Sequence, residues 1–333
     1  MPAVPTRLSV LGAGSWGTAL AIQLARNGAL VSLWGHDPGE IDALSRDREN
    51  TRYLPGVALP EGLEPVADLT ASVREADEIL VVVPSHAFSD VCARLARLKP
   101  DLGALSWATK GFDHEAHALL SSVVRRHFAQ CDMAVVSGPT FAKEVARGLP
   151  TAITVASNNP SHAERVARYL HAGSFRAYTS DDLVGVQVGG AAKNVMAIAA
   201  GISDGLGFGA NARAALITRG LHEITLLGLA MGGRPETFVG LAGLGDLALT
   251  CTDDQSRNRR MGLALARGLD IARARAEIGQ EVEGIATARE VRFMARQYGV
   301  EMPITEQVHQ VLFGGLDPRS AVQNLLSREP KAE

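Results

Sequence analysis

The sequence predicts an α/β protein, with a mostly parallel sheet covered on both faces and a second, all-helical domain after it. Three observations carry that reading. Short Val, Ile and Leu runs with no polar face alternate with helical patterns up to about Tyr178, as strands buried beneath crossover helices do. Three glycines, Gly12, Gly14 and Gly17, follow the first run at once and open a helix. From Thr179 onward nearly every segment has helical spacing.

At 333 residues the chain is too long for one small core and suits two domains. The expected division is 1–180 and 181–333, because Thr179-Ser180-Asp181-Asp182 reads as a helix N-cap cluster. A hydrophobic content of 46% with 21% charged residues is ordinary for a soluble globular protein. The net charge of -3 offers no general attraction to nucleic acid, so no such partner is expected and a bound anion needs a local cluster. The lead from Met1 to Arg7 is too short for a signal peptide. With no unbroken apolar run of about 18 residues, no membrane insertion is expected, and the cytoplasm is the default location. Cys92, Cys131 and Cys251 are widely spaced with no C-x-x-C, which argues against disulfides and zinc.

In order, strands are expected at residues 8–11, 30–34, 65–67, 78–83, 104–109, 133–136, 152–156 and 175–178. Helices are expected after Gly17 and at 70–76, 87–98, 114–129 and 161–171. The second domain should hold helices at 182–201, 211–231, 256–266, 271–277, 285–298, 305–312 and 318–326. No linker of low complexity and no internal repeat separates them.

The strand, glycine turn and helix at residues 8–24 form a Rossmann-type dinucleotide site. Gly12 permits the tight turn, Gly14 lets the backbone approach the pyrophosphate, and Gly17 lets helix and strand pack closely. The helix start offers N–H groups to the anion. Asp37, about 20 residues further on, ends the second strand beside His36. An acid there suits the ribose of NAD and a cation the 2′-phosphate of NADP, so both cofactors stay open. Lys110 and the loop Ser137-Gly138-Pro139-Thr140 end two later strands at the same edge. Lys110 reads equally as a phosphate partner and as a solvated loop lysine.

Residues 189–201 are almost wholly small or apolar, with Lys193 in their middle. A buried lysine is costly unless paired, and desolvation makes it a proton donor or acceptor near neutral pH. Asp246, in Gly243-Leu-Gly-Asp246-Leu, could orient that ammonium. Ser256, Arg257 and Asn258 open a helix and could clamp an anion. Three arginines at 257, 259 and 260 oppose the helix dipole, which favours a bound phosphate over a solvated face. The histidines show no metal-ligand spacing, and no metal site is expected.

With these residues in view, the sequence resembles the bacterial-type NAD(P)-dependent glycerol-3-phosphate dehydrogenases from Leu8 to about Leu326. The likeness rests on Gly12-Ala-Gly-Ser-Trp-Gly-Thr, Leu33-Trp-Gly-His-Asp-Pro, Ser137-Gly-Pro-Thr-Phe-Ala-Lys-Glu, Ala192-Lys-Asn-Val, the run from Gly201 to Arg213, Gly243-Leu-Gly-Asp-Leu and Ser256-Arg-Asn-Arg-Arg. It implies reversible reduction of dihydroxyacetone phosphate to sn-glycerol 3-phosphate for phospholipid synthesis, with NAD or NADP, in a homodimer. By the same likeness, Ser15, Trp16, His36, Lys110, Ala142, Arg257, Glu281 and Glu283 would contact the cofactor beside Gly12, Gly14 and Gly17. Lys110, Gly138, Thr140, Lys193, Asp246, Ser256, Arg257 and Asn258 would contact substrate, with Lys193 the catalytic proton carrier. Two residues depart from the family pattern. Ala192 stands where a larger aliphatic residue is common, and Glu281 stands where valine is common.

Overall fold

The computed structural model describes residues 6–328. Residues 1–5, most of the short lead before the first strand, and residues 329–333 lie outside the described part. The chain divides into two compact units. One holds the residues up to Asp113 with Ala118–Leu183; the other holds His114–His117 with the residues from Val184 onward.

In the first unit the strands are β1 (Arg7–Leu11), β2 (Leu30–Trp34), β3 (Leu63–Val66), β4 (Glu78–Val81), β5 (Ala104–Trp107), β6 (Phe112–Asp113), β7 (Ala118–Leu119), β8 (Asp132–Ser137), β9 (Thr151–Ser157) and β10 (Phe175–Ser180). The helices are α1 (Ser15–Arg26), α2 (Pro38–Asp47), α3 (Leu69–Arg74), α4 (Ser85–Leu98), α5 (Leu120–His127), α6 (Ala142–Ala146) and α7 (Pro160–Leu170). Eight strands form one sheet in the order β10-β9-β8-β5-β4-β1-β2-β3. Leu11 lies opposite Trp34 on one side and Val81 on the other. The ends of β1, β2 and β4 therefore meet at one edge, and the glycine turn leaves from it. Val10, Leu11, Leu33 and Val81 are fully buried, as continuous apolar strands under helices require.

The sheet is a Rossmann-type, mostly parallel one with one reversal. β9 runs antiparallel to β8, and β10 is parallel to β9. The mostly parallel sheet expected from the alternation of strand and helix is the one that forms. The connection between β8 and β9, residues 138–150, carries only the five-residue α6, shorter than the helix that usually covers a parallel crossover. A difference lies at residues 114–129, where a single helix is expected. The chain instead makes a small hairpin, pairing Phe112 with Leu119, before the shorter α5. Gly111 and His117 both have positive φ, 140° and 48°, which turns the chain where a helix would continue. At the hairpin tip His114 and His117 reach the two carboxylate oxygens of buried Glu290, and His117 stacks on Phe293 with ring centroids 4.1 Å apart. Helix α2 is absent from the sequence reading. The Asp37 carboxylate caps it by accepting from the N–H groups of Gly39 and Glu40, and Pro38 presets its first turn.

The second unit is helical: α8 (Leu183–Gly205), α9 (Gly209–Ala230), α10 (Pro235–Val239), a π-helical turn at Leu241–Gly245, α11 (Asp246–Thr252), α12 (Arg257–Ala266), α13 (Ile271–Ile278), α14 (Glu283–Gln297), α15 (Pro303–Phe313) and α16 (Pro318–Leu326). Helix α8 is long and apolar enough to cross a membrane by length and composition, yet 94% of its most apolar window is buried inside the protein. It is a core helix. A Cβ on Gly201 would overlap the Arg259 carbonyl, and one on Gly262 would overlap the Ile198 carbonyl. Helices α8 and α12 thus touch backbone to backbone. Glu223 of α9, itself buried, accepts from the N–H groups of Ile304 (2.6 Å) and Thr305 (3.2 Å) and so caps the start of α15.

Candidate active site

The first group of site residues lies along the carboxyl edge of the sheet in the first unit. Gly12 leaves β1 with φ of 127° and donates to the Trp34 carbonyl at 2.8 Å. A Cβ there would meet the Val82 carbonyl oxygen at 2.5 Å, so only glycine fits. No described atom lies within 4 Å of where a Gly14 side chain would sit. Gly14 is the N-cap of α1 and has no side chain to cap it, so the helix start faces outward with its N–H groups and positive dipole end. A turn with that clearance and those donors fits a dinucleotide pyrophosphate. Ser15 and Trp16 open α1, and the Trp16 indole nitrogen is buried without a hydrogen-bond partner among the described residues.

The turn is also held from behind by a residue that the sequence did not single out. Asn50 is buried and its amide donates to the Ala13 carbonyl at 2.9 Å and to the Thr18 hydroxyl at 2.8 Å. Its only sequence signal is an amide in an irregular stretch after α2. His36 is exposed just past β2, next to the helix-capping Asp37. Lys110, after β5, and Thr140, after β8, both donate to the Gly138 carbonyl, at 3.4 and 3.1 Å. The structure therefore brings Lys110, Gly138 and Thr140 together. Ala142 opens α6 and packs on the core of this unit.

The second group lies in the second unit. Lys193 is 6% exposed and Asp246 is 0% exposed. The Lys193 ammonium donates to Asp246 Oδ1 and to Thr250 Oγ1, the latter at 2.9 Å. Thr250 in turn donates its proton to the Asp246 carbonyl at 2.6 Å, which points its lone pairs at the lysine. Asp246 does not sit in a simple glycine turn. It opens α11 directly after the π-helical turn, one helical turn before Thr250. Thr250 is a site residue the sequence reading missed, although its i+4 spacing from Asp246 was the available signal.

Helix α12 starts at Arg257 with Ser256 as cap, its hydroxyl accepting from Arg259 N at 3.2 Å. Asn258 donates to the Asn194 side chain at 2.9 Å and accepts from Gly284 N at 2.9 Å, tying α12 to α8 and α14. Burial pushes the Arg257 guanidinium below its ordinary pKa, while the carboxylates of Glu283 and Glu281 pull the other way. Glu281 also accepts from Arg275 at 3.2 Å, and Glu283 opens α14. Ala192 is fully buried within α8. The three-arginine cluster at the start of α12 is only partly a candidate anion site. Arg259 is bound by Asp204 and Asp254, so protein carboxylates already balance that charge.

A Ser–His–Glu set elsewhere in the first unit does not form a nucleophilic triad. His162 Nε2 lies 3.2 Å from Ser106 Oγ and 3.1 Å from Glu78 Oε1, while its Nδ1 has no partner among the described residues. A triad needs serine and carboxylate on opposite ring nitrogens.

Comparison with known proteins agrees with this geometry. Residues 7–163 match the family model described as NAD-dependent glycerol-3-phosphate dehydrogenase N-terminus, and residues 182–323 match the C-terminus model of the same family. The chain is 58% identical over 327 residues to glycerol-3-phosphate dehydrogenase (NAD(P)+) of Thioalkalivibrio sulfidiphilus, covering 98% of both chains. It is 54% identical to the Klebsiella pneumoniae protein of that name, covering 100% of this chain and 99% of the other. A solved glycerol-3-phosphate dehydrogenase from Coxiella burnetii superposes with a TM-score of 0.95 at 49% identity, over 97% of this chain and 99% of that one.

Proposed function

The chain belongs to the NAD-dependent glycerol-3-phosphate dehydrogenase family, and from that premise we propose which residues do the work and how. The protein is an NAD(P)-dependent oxidoreductase that interconverts dihydroxyacetone phosphate and sn-glycerol 3-phosphate. That product is the glycerol backbone of phospholipid synthesis in the family. The buried Lys193–Asp246 pair is the observation that supports the assignment of roles most directly.

In the proposed mechanism the cofactor, when bound, supplies or accepts the hydride. As the ketone is reduced, negative charge grows on its oxygen, and Lys193 meets that charge with a hydrogen bond and then a proton. Asp246 and Thr250 orient the lysine nitrogen. In the oxidation direction Lys193 starts as the neutral amine and takes the hydroxyl proton as the hydride leaves the carbon. Ser256, Arg257 and Asn258 at the start of α12 hold the phosphate, with Lys110, Gly138 and Thr140 as further substrate contacts. Gripping the remote phosphate positions the reacting carbon. Gly12, Gly14, Ser15, Trp16, Gly17, His36, Lys110 and Ala142, with Arg257, Glu281 and Glu283, contact the cofactor. The dinucleotide-binding domain is 1–180 and the substrate-binding domain 181–333, in a cytoplasmic homodimer.

Lys193→Ala should lower kcat by roughly 100- to 10,000-fold while the NADH or NADPH dissociation constant stays within about two-fold. Arg257→Ala should raise KM for dihydroxyacetone phosphate, and unchanged kinetics there would end the phosphate assignment. Paired assays with NADH and NADPH on dihydroxyacetone phosphate establish the preferred cofactor. Sedimentation tests the dimer, whose mass is twice the 35.2 kDa of one chain.

A further inference from the structure

Arg259 carries more connections than any neighbour at the start of α12. Its guanidinium Nη1 donates to Asp204, near the end of α8, and to the Cys251 carbonyl in the last turn of α11 at 3.2 Å. Its Nε donates to Asp254, in the loop before α12, at 2.9 Å. Its own N–H closes the Ser256 cap. Asp204 Oδ2, the oxygen that binds Arg259, also accepts from Arg213 of α9 at 2.8 Å. One buried side chain therefore bolts together the lysine helix α8, the carboxylate helix α11 and the helix start that bears Ser256, Arg257 and Asn258.

We propose that Arg259 is a positioning residue for the substrate phosphate, fixing the start of α12 against the helices that carry Lys193 and Asp246 without touching substrate itself. The inference rests on the reading above, in which the start of α12 grips the phosphate. Three features support it. The guanidinium is planar and its donors are fixed in direction, so binding to Asp204, Asp254 and the Cys251 carbonyl sets an orientation and not merely a charge. The α8–α12 contact is backbone on backbone at Gly201 and Gly262, so few side chains can give when the anchor is lost. The bond to the Cys251 carbonyl also connects α12 to the same short helix that presents Asp246 and Thr250. Binding energy from a remote phosphate raises turnover only when grip and reacting centre are held in register.

The test compares dihydroxyacetone phosphate with dihydroxyacetone, which lacks the group that α12 would hold. The variants are Arg259→Lys, Asp204→Asn and Asp254→Asn, with Arg257→Ala in parallel and thermal melting on each. Asp254 is largely exposed, so Asp254→Asn gives a mild version of the defect in a folded protein. Arg259→Lys and Asp204→Asn should lower kcat/KM on dihydroxyacetone phosphate about 10- to 100-fold, Asp254→Asn less. None should change kcat/KM on dihydroxyacetone by more than about three-fold, or the NADH dissociation constant read by fluorescence. Equal losses on both substrates, or loss on neither, overturns the inference. If Arg257→Ala separates the substrates and the Arg259, Asp204 and Asp254 variants do not, the phosphate grip stands and only the role of Arg259 falls. If Arg257→Ala fails to separate them, the grip itself is wrong and the inference falls with it.

Discussion

Lys193 and Asp246, 53 residues apart in sequence, meet in an ion pair from which solvent is nearly excluded. The pair joins two helices, with the Thr250 hydroxyl as a further partner of the ammonium. Its energetics are lopsided. A well-made buried pair adds little net stability, but removing one partner strands the other charge at a cost of about 3–5 kcal/mol.

Lys193→Met and Asp246→Asn should each lower stability by about 3 kcal/mol or more. The double variant should be more stable than the sum of the two predicts. Chemical denaturation of all four proteins measures this coupling, and strict additivity would contradict a direct charge pair. Activity should stay lost in the double variant even as stability returns.

Asn50→Ala leaves the Ala13 carbonyl in the glycine turn without its amide donor. Losing such a buried bond costs about 1–3 kcal/mol, felt where the turn meets the cofactor. NADH affinity should fall about ten-fold while the KM for dihydroxyacetone phosphate at saturating cofactor barely moves. Titration of the binary complex by fluorescence checks the first, and steady-state kinetics the second.

Burial pushes the Glu223 carboxyl up from 4.5 to about 7, against the pull of the Ile304 and Thr305 donors. Between those values the folded protein holds a proton that the unfolded chain has released. Stability contributed at this site is therefore full below about pH 4.5 and falls as pH rises to about 7. Melting temperatures from pH 5 to 7 should show this downward component in the parent protein. Glu223→Gln, which cannot titrate, should flatten it; an unchanged pH slope would remove Glu223 as the source.

Burial raises the thiols of Cys92, Cys131 and Cys251 to about 12, so almost no thiolate exists at neutral pH. The native enzyme should resist a disulfide reagent such as dithionitrobenzoate over an hour, and all three thiols should react once guanidinium unfolds the chain. Rapid native labelling with loss of activity would contradict the burial of these side chains.

The features legible in the sequence were those set by local pattern. The glycine turn, the apolar strands and the burden of a lysine inside residues 189–201 each declare themselves within a few positions. What escaped depends on partners far along the chain. Asn50 reaches back 37 residues to Ala13, and Thr250 meets Lys193 across 57; the i+4 spacing of Thr250 from Asp246 does not by itself disclose that distant lysine. Arg259 looked like one of three anion-binding arginines because Asp204 lies 55 residues earlier. The glycine-rich run before Asp246 reads as a turn by composition, yet tight packing of Gly243 against the Phe238 backbone winds it into a π-helical turn. The reversal of β9 is a matter of strand direction, which hydrophobic pattern does not encode.

The hairpin tip at His114–His117 has a practical consequence for anyone dissecting this enzyme. A cut near residue 183 should not yield two self-sufficient fragments, because the C-terminal piece would hold Glu290 without either imidazole that meets it. Its carboxylate would be stranded and Phe293 left bare. Expressed alone, such a piece should misfold or aggregate, and a short synthetic peptide spanning residues 112–119 should restore its solubility in trans.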